Sequence, residues 1–414
     1  MIHIIKNIIN TLISTKYMLI IKFEDMNKSL VYLSIGSNLG NKIKNIKDAL
    51  NSIDKLIGDI FSISKIYENP AIGFKGEDFL NCCISVRTEL SPHAVLKKLL
   101  EIEIDAGRRR TEKEGYESRK IDIDILFYND IIINDIQLKI PHKKLHERKF
   151  VIRPLLDIAK SKIHPVLKIT IDELSKSFRD FSDIKELNES LQNPVFESLK
   201  TFNSISVEGN IGVGKTSFAT KLSKDLNKKL ILESFYQNPY LKKFYEKPNK
   251  YALNLELTFL VDRCKELCDL KNQPDLFKSG VVFDYHVQKS LIFAGVTLSE
   301  IDFNLYRNIY YLMTKDLIKP DLTIFLMQSN ENLISNIRKR DRPFEKSISP
   351  EYLNKIEKAY KRSFQINENK FFKIDVSNLD YVENNSDYMN LIFKIKKTLR
   401  KRLEKLPNYD STTI

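Results

Sequence analysis

The chain has no tryptophan and only four cysteines, and no apolar run approaches the length of a membrane span. Cys82 and Cys83 are adjacent, and Cys264 and Cys268 lie one helical turn apart. Neither arrangement resembles a disulfide framework or a four-ligand zinc site, so buried thiols in a reducing compartment are expected. Residues 1–25 are apolar in patches but are broken by Lys6, Lys16 and Lys22, and they lack a small-residue cleavage site. They read as an extension ahead of a start at Met26, or as a short surface helix. A basic block interleaved with aromatics is also missing: the net charge of +13 is scattered along the sequence. Neither nucleic acid nor membrane is therefore expected as a partner, and a cytoplasmic protein that binds small molecules is.

What is present fits two domains, because 414 residues are many for one hydrophobic core. The expected division is an extension over 1–29, a first domain over 30–165, a linker over 166–202, a second domain over 203–405 and a tail over 406–414. In the first domain, Ser29 to Ser34 reads as a strand entering the turn Gly36-Ser37-Asn38-Leu39-Gly40, followed by apolar positions at helical spacing from Ile43 to Leu56. Further strands are expected at Ile60–Tyr67, Asn81–Thr88, Ile121–Tyr128 and Asp130–Ile136, with a helix at Pro92–Asp105, an α+β pattern.

The acidic run Ile121-Asp122-Ile123-Asp124-Ile125 is the most informative segment. Side chains alternate along a strand, so Asp122 and Asp124 share one face while the isoleucines take the core. Two carboxylates so close repel unless a cation lies between them, and magnesium with substrate phosphates is a natural partner. Arg108, Arg109 and Arg110 follow Gly107, and Arg119 directly precedes the strand, giving guanidinium groups that can converge on phosphate oxygens. Pro141-His142 and Arg148-Lys149-Phe150 lie downstream. No serine elbow is evident, so phosphoryl or pyrophosphoryl transfer fits better than triad hydrolysis.

In order and approximate spacing, Gly36 to Gly40, Phe79-Leu80-Asn81, Gly107 to Arg110, Ser118 to Leu126 and Pro141 to Phe150 resemble the motifs of 6-hydroxymethyl-7,8-dihydropterin pyrophosphokinase. The resemblance implies a ferredoxin-like α+β domain that moves the diphosphate of ATP onto the pterin hydroxymethyl oxygen and releases AMP. It gives Asp122 and Asp124 to Mg2+, and Arg108 and Arg119 to a loop that closes over the reacting phosphates, with Arg110 in support. It places Glu103, His142 and Arg148 at ATP, and Pro70, Asn81 and Phe150 at the pterin. The family's Trp-Gly-Pro-Arg stands here as Tyr116-Glu117-Ser118-Arg119.

After a partly helical connector, Thr201–Glu208 reads as a strand entering Gly209-Asn210-Ile211-Gly212-Val213-Gly214-Lys215-Thr216, with a helix behind it. Such glycines let backbone N–H groups face a phosphate; Lys215 then reaches the outer phosphates of ATP and Thr216 meets Mg2+. Short strands at Leu230–Glu233, Val281–Asp284 and Asp321–Met327 would bring Glu233 and Asp284 to the same end of a parallel sheet. The run Ile337 to Glu345 carries Arg340 and Arg342 and reads as a lid.

With Glu256, Arg263 and Phe283-Asp284-Tyr285, these segments resemble the deoxynucleoside kinases, which implies an α/β P-loop domain with a parallel sheet. The resemblance makes Glu233 the base or orienter for the deoxyribose 5′-hydroxyl, Asp284 a support for Mg2+, and Glu256, Arg263 and Tyr285 nucleoside contacts. Tyr285 replaces an arginine of the family's motif, so a contact must come from elsewhere, with Lys289 available; Ser290 stands where an aspartate is common. Glu256 takes the place of a base-reading glutamine and, when ionised, accepts without donating. Purine deoxynucleosides are the preferred substrates on this reading. A homodimer through the kinase domain stays open. So do two alternatives for the second domain, a regulatory nucleotide-binding module or a nucleoside-monophosphate kinase.

Overall fold

A computed structural model describes residues 28–403, apart from 72–73, 75, 108–117, 179–180, 182, 236, 273–279, 343–344, 346–347 and 367–370. Most of the expected extension, Gly73, Arg108, Arg109, Arg110, Tyr116 and the expected tail lie outside the described residues. The chain divides into two compact units, 1–195 and 196–414.

The first unit runs β1 (Ser29–Ser37), α1 (Lys42–Leu56), β2 (Asp59–Ile63), β3 (Tyr67–Asn69), β4 (Phe79–Thr88), α2 (Pro92–Asp105) and β5 (Asp122–Tyr128). The short strands β6 (Ile133–Asn134) and β7 (Lys139–Ile140), the helices α3 (Lys149–Ala159) and α4 (Ile171–Ser175), and β8 (Lys185–Glu186) follow. The main sheet has the order β5-β1-β4-β3-β8, with β2 also on β4, and every pairing is antiparallel. Alternation decides its faces: Ile121, Ile123 and Ile125 are buried with the α1 and α2 residues Ile46, Leu50, Val95 and Leu99, while Asp122 and Asp124 stay half-exposed. Helix α2 starts where its caps predict, with Ser91 accepting from the Ala94 amide and Pro92 in the first turn.

Two expected strands are shorter than their composition suggests. Between Ile60 and Tyr67 the ladder breaks, because Ser64 turns its hydroxyl to accept from the Cys83 amide at 2.8 Å. In Asp130–Ile136 only Ile133 and Asn134 pair. Asn129 sits at positive φ and Asp135 Oδ1 accepts from the Gln137 and Leu138 amides, so two turns consume the segment. Three cysteines are buried as expected; Cys268 is exposed.

The expected linker 166–202 contributes to the first unit. Ile171 and Leu174 of α4 join a cluster with Phe127, Val151 and Leu155, and β8 pairs with β3 through Tyr67↔Glu186 and Glu68↔Lys185.

The second unit comprises α5 (Glu197–Lys200), β9 (Ser204–Gly209), α6 (Lys215–Asp225), β10 (Lys229–Ile231), α7 (Leu241–Glu246), α8 (Pro248–Asn272) and β11 (Val281–Phe283). It continues with α9 (Lys289–Thr297), α10 (Glu300–Thr314), β12 (Leu322–Met327), α11 (Asn330–Arg340), α12 (Pro350–Ile366), β13 (Phe371–Asp375) and α13 (Asn385–Leu403). Its sheet is parallel throughout, in the order β10-β11-β9-β12-β13. Strand β9 is fully buried at the centre, and its C-terminal end opens into the glycine loop.

Glu103, expected at the nucleotide, is a buried support of β5. It is 2% exposed, and its Oε1 accepts from the Ile123 amide at 2.9 Å, between the two strand aspartates. Removing such an acceptor strands a buried donor at a cost of about 1–3 kcal/mol. Glu103→Ala is therefore expected to lower the stability of the first unit by about that amount in denaturant melts while leaving the KM for ATP unchanged. A raised KM for ATP at unaltered stability would return Glu103 to the nucleotide.

Candidate active sites

Strand β5 presents Asp122 and Asp124 to a cleft of about 570 Å³ in the first unit. Arg119 Nη1 donates to Asp122 Oδ1 and Arg148 Nη1 to Asp124 Oδ2, each at 2.7 Å. His142 Nε2 stands 3.7 Å from the same Asp124 oxygen. Burial lowers the pKa of His142, against the opposing pull of Asp124. The structure thus brings Arg119, Asp122, Asp124, His142 and Arg148 together; Arg108 lies outside the described residues.

The cleft also has apolar lining, with Pro70, Phe74, Phe79 and Phe150 in its walls. Asn81 reaches it from β4 and donates through Nδ2 to Asn69 Oδ1 at 2.5 Å. Gly36 pairs with Asn81 across β1 and β4, and a Cβ there would come within 2.7 Å of Asn81 Oδ1, so the glycine makes room for the amide. The sequence reading assigned nothing to Asn38, which is fully buried and accepts from the Arg119 amide at 2.7 Å. Its Nδ2 donates to Glu77 O and Ser118 Oγ, so the glycine-rich turn fastens the backbone that carries Arg119. Only the Gly36 to Gly40 motif signalled this role.

In the second unit the glycine loop has left-handed backbone at Gly212 and Gly214, with φ of 86° and 91°. Gly209 has no room for a side chain, since a Cβ would stand 2.6 Å from Leu326 O. Lys215 Nζ donates to the carbonyls of Gly209 and Asn210; burial, aided by Lys289, brings its pKa down to about 8. Thr216 Oγ1 donates to Asp284 Oδ2 at 2.6 Å, and the Glu233 amide donates to Asp284 Oδ1 at 2.7 Å. Burial raises the Asp284 carboxyl, and those hydrogen bonds oppose it.

Glu233 lies two residues beyond β10, where its carboxylate accepts from Arg263 and, at 2.5 Å, from Lys289 Nζ. Burial would raise its pKa, yet Lys289 and Arg263 outweigh it and hold the carboxyl far below the usual range. Arg263 Nη1 also donates to Ser290 Oγ at 2.5 Å. Lys289 thus places a second cation beside Glu233. Tyr285, expected at the nucleoside, faces away from the cleft: it is buried among Phe283, Leu260 and Tyr306, and its hydroxyl donates to Glu266 Oε2 at 2.6 Å.

Glu256 lines the same cleft and accepts from Thr297 Oγ1 at 3.1 Å; burial pushes its pKa up to about 7, with Arg263 opposing. Arg340 and Arg342 both pair with Glu345, a buried carboxylate unassigned from sequence, and Arg342 stacks 4.2 Å over the Phe235 ring.

Among the described residues no group of three or more His, Cys, Asp or Glu could hold a metal by itself. Each site instead offers a pair of protein oxygens, Asp122 with Asp124 and Thr216 with Asp284. That donor set fits a magnesium ion shared with substrate phosphates rather than enclosed by protein. No helix among the described residues is long and apolar enough to cross a membrane.

Comparison with known proteins gives one family for each unit. The model for 7,8-dihydro-6-hydroxymethylpterin-pyrophosphokinase matches residues 32–160, and that for deoxynucleoside kinase matches residues 205–400. Deoxyguanosine kinase of Bacillus subtilis is 36% identical over 208 residues, 49% of this chain and 100% of that protein. The 2-amino-4-hydroxy-6-hydroxymethyldihydropteridine pyrophosphokinase of Aquifex aeolicus is 39% identical over 144 residues, 34% of this chain and 88% of that protein. Folic acid synthesis protein FOL1 of Dictyostelium discoideum is 42% identical over 38% of this chain, which spans only 24% of that protein. With an acidic strand in one unit and a glycine loop on a parallel sheet in the other, the chain belongs to both families, as a fusion of a dihydropterin pyrophosphokinase with a deoxynucleoside kinase.

Proposed function

We propose that the first unit transfers the β,γ-diphosphate of ATP to the hydroxymethyl oxygen of 6-hydroxymethyl-7,8-dihydropterin, at the cleft between β5 and Phe150. The pairing of Arg119 with Asp122 and Arg148 with Asp124 carries this reading, because it sets two carboxylates and two guanidinium groups in one place. Mg2+ held by Asp122 and Asp124 would supply charge neutralisation of the polyphosphate. Arg119 and Arg148 then turn to phosphate oxygens, stabilising charge that grows on transfer, with Arg108 assigned the same task. His142, its pKa lowered by burial, serves as a hydrogen-bonding contact to ATP. Asn81 and Phe150 hold the pterin by its edge and face. The strand order β5-β1-β4-β2, with α1 and α2 joining the pairs, supports the ferredoxin-like description.

For the second unit, phosphoryl transfer from ATP to the 5′-hydroxyl of a deoxynucleoside is the reaction proposed. Gly209, Gly212, Gly214, Lys215 and Thr216 cradle the phosphates, and Mg2+ at Thr216 and Asp284 would offset their charge. Arg340 and Arg342 approach the transferred group from the lid. With two cations holding it ionised, Glu233 is a weak proton acceptor, so its role is to orient the hydroxyl, with Lys289 and Arg263 alongside. Glu256 reads the base, and a purine is favoured: guanine offers two adjacent donors that suit a carboxylate, while adenine offers a donor and an acceptor that suit the neutral acid. The match to a deoxyguanosine kinase supports the purine choice. Exposed Ile301, Leu305 and Leu312 on α10 support a homodimer through this unit, and free thiols support a reducing, cytoplasmic setting.

Three outcomes test these assignments. Asp122→Asn or Asp124→Asn should cut pterin-dependent AMP release by about 100-fold or more while sparing nucleoside-dependent ADP release. Unchanged pterin turnover in both variants contradicts the metal assignment. Lys215→Ala should do the converse, cutting ADP release by about 100-fold, and a parallel loss of AMP at an unaltered melting temperature contradicts two separate nucleotide sites. Because Glu256 ionises near pH 7, the ratio of kcat/KM for deoxyguanosine to that for deoxyadenosine should rise as pH increases through that value. Glu256→Gln should flatten the profile, and a flat ratio in the parent enzyme removes Glu256 from base recognition.

A further inference from the structure

The pterin cleft has a wall that the matched family segment does not include. That segment ends at residue 160, yet Phe178, Asp183 and Ile184 line the cleft together with Phe74, Phe79 and Phe150. In sequence they belong to a polar stretch that reads as a connector between the two enzymes.

Their placement is fixed from both sides. Upstream, Thr170 and Glu173 form a reciprocal capping box that starts α4, and Ile171 and Leu174 are buried in the core beside Phe127 and Leu155. Downstream, β8 adds to β3, the Leu187 amide donates to Ile66 O at 3.0 Å, and Glu186 accepts from Lys65 at 2.5 Å. Further along, Asn193 Nδ2 donates to Ile60 O at 2.7 Å. With α4 held in the core and β8 held on the sheet, Phe178, Asp183 and Ile184 of the crossing between them line the cleft. The crossing has its own local order: Ile184 N donates to Phe181 O at 2.9 Å, and the rings of Phe178 and Phe181 lie 5.7 Å apart. Asp183 pairs with Lys149, the residue before Phe150, at 3.5 Å. That pair is exposed and worth little in energy, but it ties the crossing to the helix start that carries Arg148 and Phe150.

We propose that Phe178, Asp183 and Ile184 are part of the pterin site, with Phe178 and Ile184 as specificity-determining contacts and Asp183 as a positioning residue for α3. A flat heteroaromatic ring held against Phe150 has its other apolar contacts here, so the first catalytic domain runs to residue 195 and not to 165. The proposal rests on the assignment of this cleft to pterin.

The test is a steady-state comparison on the full chain, with 6-hydroxymethyl-7,8-dihydropterin and ATP varied in turn. Ile184→Ala and Phe178→Ala should each raise the KM for pterin by about tenfold, the loss typical of one buried apolar contact. The KM for ATP should stay within about twofold, and a merely structural loss would not divide the two substrates in this way. Ile184 is half-exposed, so its truncation keeps the test available where Phe178→Ala fails to fold. Phe150→Ala separates the two readings. If it raises the KM for pterin while Ile184→Ala and Phe178→Ala do not, the cleft is right and the proposed wall is wrong. If none of the three affects pterin, the cleft itself is misassigned and the proposal falls with it.

Discussion

Each site depends on carboxylates that are held close to fixed cations. Glu233, withdrawn from water, stays charged because two cations stand beside it, and in both sites the cations are groups that phosphate chemistry needs. Arg119 and Arg148 hold Asp122 and Asp124, and Arg263 and Lys289 hold Glu233. Guanidinium groups so placed could exchange carboxylate oxygen for phosphate oxygen with little loss of hydrogen bonding. The Arg119 and Ile123 amides, donating to Asn38 Oδ1 and Glu103 Oε1, hold the backbone under the first set. Asp284 does the same for the second by accepting from both Thr216 and the Glu233 amide.

The two sheets position these groups by opposite means. In the antiparallel sheet, alternation along β5 puts two acids on one face and isoleucines on the other. In the parallel sheet, the candidate site groups come from segments at the C-terminal ends of β9, β10 and β11, where adjacent parallel strands leave a crevice. Their chemistry differs accordingly. The first transfers two phosphates and leaves AMP, and the second transfers one and leaves ADP.

Much of this was legible in the sequence because the decisive motifs are local. The glycine loop, the acidic strand and the helix Pro92–Asp105 each carry their own geometry in consecutive residues. What was not legible depends on long-range packing. Nothing near Glu103 signals that its carboxylate meets the Ile123 amide, and nothing near Tyr285 signals that its ring turns into the core toward Glu266. The Asp130–Ile136 segment has strand-like residues, but Asn129 and Asp135 turn the chain twice within it. The polar composition around Ser177–Gln192 suggests a connector, although β8 is recruited to a sheet edge by Tyr67 and Glu68 far upstream.

One chain performs two distinct ATP-dependent transfers at separate sites. The most direct measurement supplies the full chain with dihydropterin, deoxynucleoside and ATP carrying distinguishable labels on its β and γ phosphates. The account predicts both labels on the pterin with AMP released, and the γ label alone on the nucleoside with ADP released. A pterin product carrying only the γ label, or a nucleoside product that fails to form, would contradict it.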